Sequence, residues 1–207
     1  QIFVSMSVHE NLLMGAYCRR DADVPKEIDA VYELPETGKI LVLLDDRGKP
    51  VRYEKIKRLL TEKINRLLLE NNVAEKVVSY DDVFRLGSTR QDFHNMGVSD
   101  IARKLGATQT IYVYLDEFSL KEAPGTNLWE GKLGTLVRVV SDEGKTVWPD
   151  ERPVGHRPPI AKTPQTVNAS PTYGETVAIE LANNMADKIA KLFYVHYVPR
   201  GHTGGKN

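Results

Sequence analysis

The chain has 207 residues, 41% hydrophobic and 27% charged, an ordinary composition for a globular domain long enough to bury a core. Its 28 basic and 28 acidic residues balance, so no global field recruits nucleic acid or an anionic membrane surface. A lone cysteine, Cys18, cannot close an internal disulfide, and no run reaches the ~20 apolar residues of a transmembrane helix.

Residues 1–38 read as an irregular polar lead-in, with Arg19, Arg20, Asp21, Asp23, Pro25 and Pro35. Order is expected from Lys39. Ile40 to Leu44 is apolar without alternation and stops at Asp45-Asp46, the habit of a strand covered on both faces of an α/β sheet. A turn through Gly48 and Pro50 follows. Residues 53–71 form the clearest amphipathic helix: Ile56, Leu60, Ile64, Leu67 and Leu68 share one face, and Asn71-Asn72 supplies a stop. A strand around Val77-Val78 completes a βαβ unit, whose strands are normally parallel.

A short helix capped by Ser79 or Asp81 is expected to end at Gly87, and a second to run from an N-cap at Ser99 to Leu105, closed by Gly106. Thr108 to Leu115 alternates as a strand, with Ile111, Val113 and Leu115 on one face and Tyr112 and Tyr114 on the other. Asn127 to Val140 reads as a further strand, turning at residues 141–144 into a return strand that ends at Trp148. Residues 149–172 carry six prolines and read as an extended surface loop. Val177, Leu181, Met185, Ile189 and Leu192 then mark a last helix over 175–193, and Ala178, Ala182 and Ala186 would let it lie close to a sheet. Residues 196–207 read as a flexible tail. The expected fold is therefore a single α/β domain over 39–195: a mixed sheet with a βαβ start, an antiparallel hairpin in its C-terminal part, and helices on its faces.

Few residues form a chemical constellation. Asp45 and Asp46 stand at a strand's C-terminal end, where open α/β sheets place ligands. With Asp116 they define an enzyme reading, a metal- or nucleotide-dependent site. The plainer reading is that they cap the turn and the next helix. His94 is a loop histidine that would need Asp81 or Asp82 to hold a metal. Gly205-Lys206 fails as a phosphate loop, because Arg200 occupies the first glycine position and Asn207 the Ser/Thr position. Tyr112 and Tyr114 have no basic residue between or beside them in sequence, so base stacking is not supported. Trp129 and Trp148 are partner anchors or core residues, and Asn168-Ala169-Ser170 is a short sequon match.

Three segments carry a resemblance: Lys39 to Leu44 leading into a long helix; Ile101-Ala-Arg-Lys-Leu-Gly-Ala107 running into Thr110 to Leu115; and Leu136-Val-Arg-Val-Val-Ser-Asp-Glu-Gly-Lys-Thr-Val-Trp148 before a closing helix. Over about residues 38–195 this resembles the small α/β domain of bacterial envelope proteins, whose members include the amino-terminal domain of the Tol–Pal protein TolB, the lipoprotein activator of penicillin-binding proteins and the curli-secretion lipoprotein. The resemblance implies an exported, non-enzymatic domain that docks on other envelope proteins at the periplasmic side, needs no cofactor and is often anchored to the outer membrane by lipid. Cys18 is the residue placed for such a lipid, although Gly15-Ala16-Tyr17 departs from the usual lipobox. The expected partner surface is the proline-rich segment 149–172, with Trp148 at its start and His156 and Arg157 within it; its removal is expected to spare folding. An intracellular adaptor is the remaining alternative.

Overall fold

The computed structural model describes residues 32–34, 38–47, 51, 54–123, 128–150, 152, 154–164, 166–167 and 173–194. In chain order the elements are β1 (Lys39–Asp45), α1 (Glu54–Glu70), β2 (Lys76–Val77), α2 (Tyr80–Thr89), a 3-10 turn (Phe93–Asn95), α3 (Val98–Leu105), β3 (Gln109–Ala123), β4 (Leu128–Ser141), β5 (Thr146–Trp148), β6 (Ala161–Lys162), β7 (Thr166–Val167) and α4 (Tyr173–Ala190). They form one mixed sheet in the order β2-β1-β3-β4-β5, with β6 and β7 also paired to β4. β1 runs parallel to β2 and β3, whereas β3, β4 and β5 are antiparallel in succession. The fold is the expected mixed α/β domain.

Period-two alternation divides the sheet residues between two cores. Ile40, Val42, Ile111, Val113, Val137 and Val139 face the side covered by α1 and α4. Leu41, Leu43, Tyr112 and Val140 face the side covered by α2 and α3. On α1, Ile56, Leu60, Ile64 and Leu68 are buried as the helical spacing requires, each contributing roughly 1.5–3 kcal/mol of transfer free energy. The helix stops where expected, with Asn72 at φ 55° and the Val73 N–H returning to the Leu68 carbonyl at 2.8 Å.

Several boundaries differ from expectation, each for a local reason. Ser79 does cap α2, accepting the Asp82 N–H at 3.1 Å, but the helix passes through Gly87. Thr89 Oγ1 and Ser88 Oγ donate to the Arg85 carbonyl at 2.8 and 3.0 Å and so stabilise the last turn. The N-cap of α3 is Gly97 rather than Ser99: the Gly97 carbonyl accepts from Ile101 at 3.1 Å, which places Ser99 inside the first turn. Gly106 closes α3 at φ 69°, the left-handed conformation that favours glycine. β3 continues eight residues past Leu115 because β4 pairs with it from Gln109 to Ala123, across a bulge at Leu115/Glu117. Order also begins before Lys39: the Tyr32 N–H donates to the Leu192 carbonyl at 2.9 Å, and Leu34 is buried.

The largest departure concerns the described residues of segment 149–172, which form a strap rather than a surface loop. It runs antiparallel down the outer edge of β4: His156 bridges Val137, Ala161 and Lys162 pair with Leu133 and Lys132, and Thr166 and Val167 pair with Trp129 and Leu128. Thr163 adds two bonds to Gly131, one from its own N–H at 3.1 Å and one to its hydroxyl at 2.9 Å. Pairing falls on residues between Pro149 and Pro158, between Pro159 and Pro164, and after Pro164, because proline has no N–H to contribute to a ladder. Ala161 is fully buried, so removing the segment would open the sheet edge and part of the core.

α4 lies close on β4. Ala178, Ala182 and Ala186 are fully buried, and a methyl at Gly131 would stand 2.6 Å from Val177 Cγ1 and 2.7 Å from Leu181 Cδ1. Strand propensity alone favours Gly131→Val, while the close approach opposes it. Packing should win: urea unfolding of Gly131→Val is expected to show a loss of about 1–3 kcal/mol, and an unchanged midpoint would show that α4 does not sit this close.

Candidate functional site

The site at the C-terminal end of β1 follows from chain geometry. Asp45 is the last residue of β1, and Arg47 folds back onto it in the turn. The Arg47 backbone N–H donates to Asp45 Oδ1 at 2.9 Å, Nε lies 2.9 Å from both carboxylate oxygens, and a terminal nitrogen donates to Oδ2 at 2.5 Å. The Tyr112 hydroxyl, from the adjacent β3, also donates to Oδ2. Across the next strand Arg138 stands opposite Tyr112 and lays its guanidinium 4.6 Å from the ring centroid. A row of carboxylate, phenol and guanidinium thus crosses β1, β3 and β4.

Burial alone would raise the Asp45 pKa, but the donors from Arg47 and Tyr112 outweigh it and hold the carboxyl at about 2. Burial and the bond to Asp45 raise the Tyr112 phenol, which stays protonated. The bond to Asp45 raises the Arg47 guanidinium above its already high value. Asp46 is engaged separately, accepting the Val51 N–H at 2.9 Å and pairing with Lys57 at 3.0 Å. Both aspartates therefore secure the turn, as the plainer reading expects.

Beside this row a cavity of about 390 Å³ opens between the sheet and α2. Leu43 and Tyr112 line its sheet side, Ile101 of α3 lines it too, and Val83, Phe84 and Phe93 belong to its outer wall. Asp45, Asp46, Arg47, Lys57 and His94 contribute its polar lining. The cover is thin: no residue of α2 is buried, and Phe84 is 53% exposed.

A second cluster lies at the start of the strap. Trp148 packs against Tyr32, Phe193 and His156, with ring centroids 6.0, 5.9 and 5.4 Å away. Burial, then the charge of Arg152, lowers the His156 pKa and keeps the imidazole neutral. Arg157 pairs with Asp116, and the neighbouring Val154 is 71% exposed.

The structure brings Trp148 and His156 into contact, whereas Arg157, the next residue in the chain, is engaged with Asp116. It does not gather Asp116 with Asp45 and Asp46: Asp116 lies past them on β3, engaged by Arg157. His94 is not joined by the acids proposed for it, since Asp81 pairs with Arg58 at 2.7 Å and Asp82 accepts the Ser79 hydroxyl at 2.7 Å. Among the described residues no group of three His, Cys, Asp or Glu side chains is placed to hold a metal ion. Cys18, the sequon at 168–170 and the Gly205-Lys206 pair lie outside the described residues. Sequence reasoning missed Arg47 and Arg138. The first was legible as an Asp-x-Arg turn, whereas the second meets Tyr112 only through the β3–β4 register, so a cation does stand beside that tyrosine in space.

No protein-family model matches the chain, and no curated protein matches it. Solved structures with a distant likeness include a PelC dodecamer from Paraburkholderia phytofirmans, at 13% identity and TM-score 0.42, covering 80% of this chain and 94% of that one. Others are lipoprotein GNA1162 from Neisseria meningitidis, at 14% and 0.39 over 73% and 99% of the two chains, and a minor lipoprotein from Acinetobacter baumannii, at 9% and 0.38 over 74% and 89%. At these scores the likeness is one of general outline, and nothing about the site is drawn from it.

The lowered Asp45 pKa makes stability depend on pH. A depressed carboxyl stabilises the fold above its unfolded value, near 3.8, and that contribution disappears as pH falls through about 2. With Arg47 exposed to solvent the contribution is expected to be about 1–2 kcal/mol. Asp45→Asn should lose it at neutral pH and show a shallower decline in denaturant midpoint between pH 4 and pH 2; a decline as steep as the parent's would place the acid-sensitive group elsewhere.

Proposed function

We propose that this chain is a non-enzymatic accessory domain of the bacterial cell envelope that works at the periplasmic side by holding other envelope proteins. The observation that carries the non-enzymatic reading is the engagement of the strand-end carboxylates. Asp45 is held by Arg47 and Tyr112, Asp46 by Lys57, and Asp116 by Arg157. A divalent cation or a catalytic proton transfer at the β1 end would have to break an ion pair that also fixes the turn, which removes the main support for the enzyme alternative.

The envelope assignment is supported by the segments at 39–44, 101–115 and 136–148, which the structure places on β1, on α3 with β3, and on β4 with β5. Kinship with the TolB amino-terminal type and a lipid on Cys18 with outer-membrane anchoring belong to the same proposal. The partner contact is the patch of Trp148, His156 and Arg157. The strap holds it in a fixed arrangement, which lowers the ordering cost of binding. Val154 adds an exposed apolar tip at its edge.

Fractionation and intact mass of the native full-length protein, followed by crosslinking in cells, test this reading. Envelope recovery is expected, with a lipid adduct on Cys18. A Val154→Asp variant should lose most of the crosslinked partner at an unchanged melting temperature. Recovery as an unmodified cytosolic protein would overturn the envelope assignment, and undiminished crosslinking of the variant would overturn the patch.

A further inference from the structure

We propose that the cavity between α2 and the sheet is a binding site for an uncharged small molecule with an apolar, ring-sized body. Three observations point there, none of which bears on the strap patch.

The first is unfinished packing. The cavity opens to solvent, and an apolar guest that displaces water from its apolar walls is favoured. At about 390 Å³ the cavity lies within the ~300–1,000 Å³ range of small-molecule pockets. α2 is capped, carries Val83, Phe84 and Leu86, and yet buries none of its residues. Val83 and Leu86 are only partly buried against the sheet core, and Val83 and Phe84 present apolar surface to the cavity.

The second is the wall. Phe93 rests on Gly87, where a methyl would meet its ring at 3.4 Å, so the glycine lets the 3-10 turn fold in against α2 and close one end of the cavity. Met96 also lines it and brings a flexible, polarisable thioether that adapts to different contours. These walls favour an aromatic or aliphatic body.

The third is the charge at the polar end, which selects against an ion. Asp45 is matched by Arg47, whose guanidinium also donates to the His94 carbonyl at 3.3 Å, and Asp46 is matched by Lys57. A charged guest would give up water for groups already satisfied by each other, a net loss. A neutral guest loses little and gains the apolar walls. The Tyr112 hydroxyl in the lining, which donates a hydrogen bond to Asp45, can still accept one from the guest.

Titration of the full chain with 2-naphthol and with 2-naphthoate, of similar size but differing in charge, tests this. Saturable one-to-one binding of 2-naphthol is expected, with 2-naphthoate at least about tenfold weaker. Val83→Phe, which fills the cavity from α2, should weaken 2-naphthol by at least about tenfold, and Val154→Asp should leave it unchanged. Absence of saturable 2-naphthol binding, equal affinity for the two probes, or full binding by folded Val83→Phe would each overturn the proposal. Should Val83→Phe fail to fold, the comparison of the two probes on the parent chain still decides. Loss of the docking reading would leave these outcomes untouched, because Val154 and the cavity lie on different parts of the molecule.

Discussion

β1 is buried on both faces, and both halves of the molecule depend on that. Ile40 and Val42 enter the core under α1 and α4, while Leu41 and Leu43 enter the core under α2 and α3. The seven residues of β1 therefore join the two hydrophobic layers, as β3 and β4 also do through Ile111 and Val113 against Tyr112 and through Val139 against Val140. β3 pairs with β1 from Ile40 to Asp45 and β2 with its first two residues, both in parallel, and Ile40 to Leu43 are buried. Where the apolar run stops, Asp45 must be compensated, and the Arg47–Tyr112 arrangement supplies that compensation within the sheet.

The two layers are built to different standards. On the first, α4 uses alanines and the bare backbone of Gly131 to bring helix and strand together, and α1 crosses beside it; Lys63 reaches over to Asp187 at 2.8 Å. On the second, α3 buries Ile101 and Ala102, but α2 and the 3-10 turn cover the sheet loosely. The division assigns cohesion to one face and leaves the other able to take up a guest.

Much of this was legible in the sequence, and the parts that were not share a cause. Elements whose side chains repeat at 2 or 3.6 residues, such as α1, the first half of β3 and α4, lie where periodicity places them, and β1 lies where its unbroken apolar run places it. So do the stop at Asn72 and the closure at Gly106, which depend on backbone conformations that few residues accept. The strap was not legible because β-ladder pairing is made by main-chain groups, and the spacing of prolines hides rather than displays it. Arg138 was missed as a partner of Tyr112 because 26 positions separate them and only the hairpin register brings them together. At the candidate site, Asp45 and Asp46 were visible as a pair, but what they do depends on Arg47, Lys57 and Tyr112, whose directions no local pattern encodes.

The strap also governs how the sheet ends. An open sheet can recruit a strand from another molecule wherever a long row of backbone donors is left unpaired. Here β2, on one side, pairs over only two residues. On the other side the β4 edge is occupied in turn by β5, His156, β6 and β7. The new outer rim is punctuated by Pro149, Pro158, Pro159 and Pro164, which have no N–H to offer an incoming strand. Lateral growth by strand addition is therefore blocked along the length of β4.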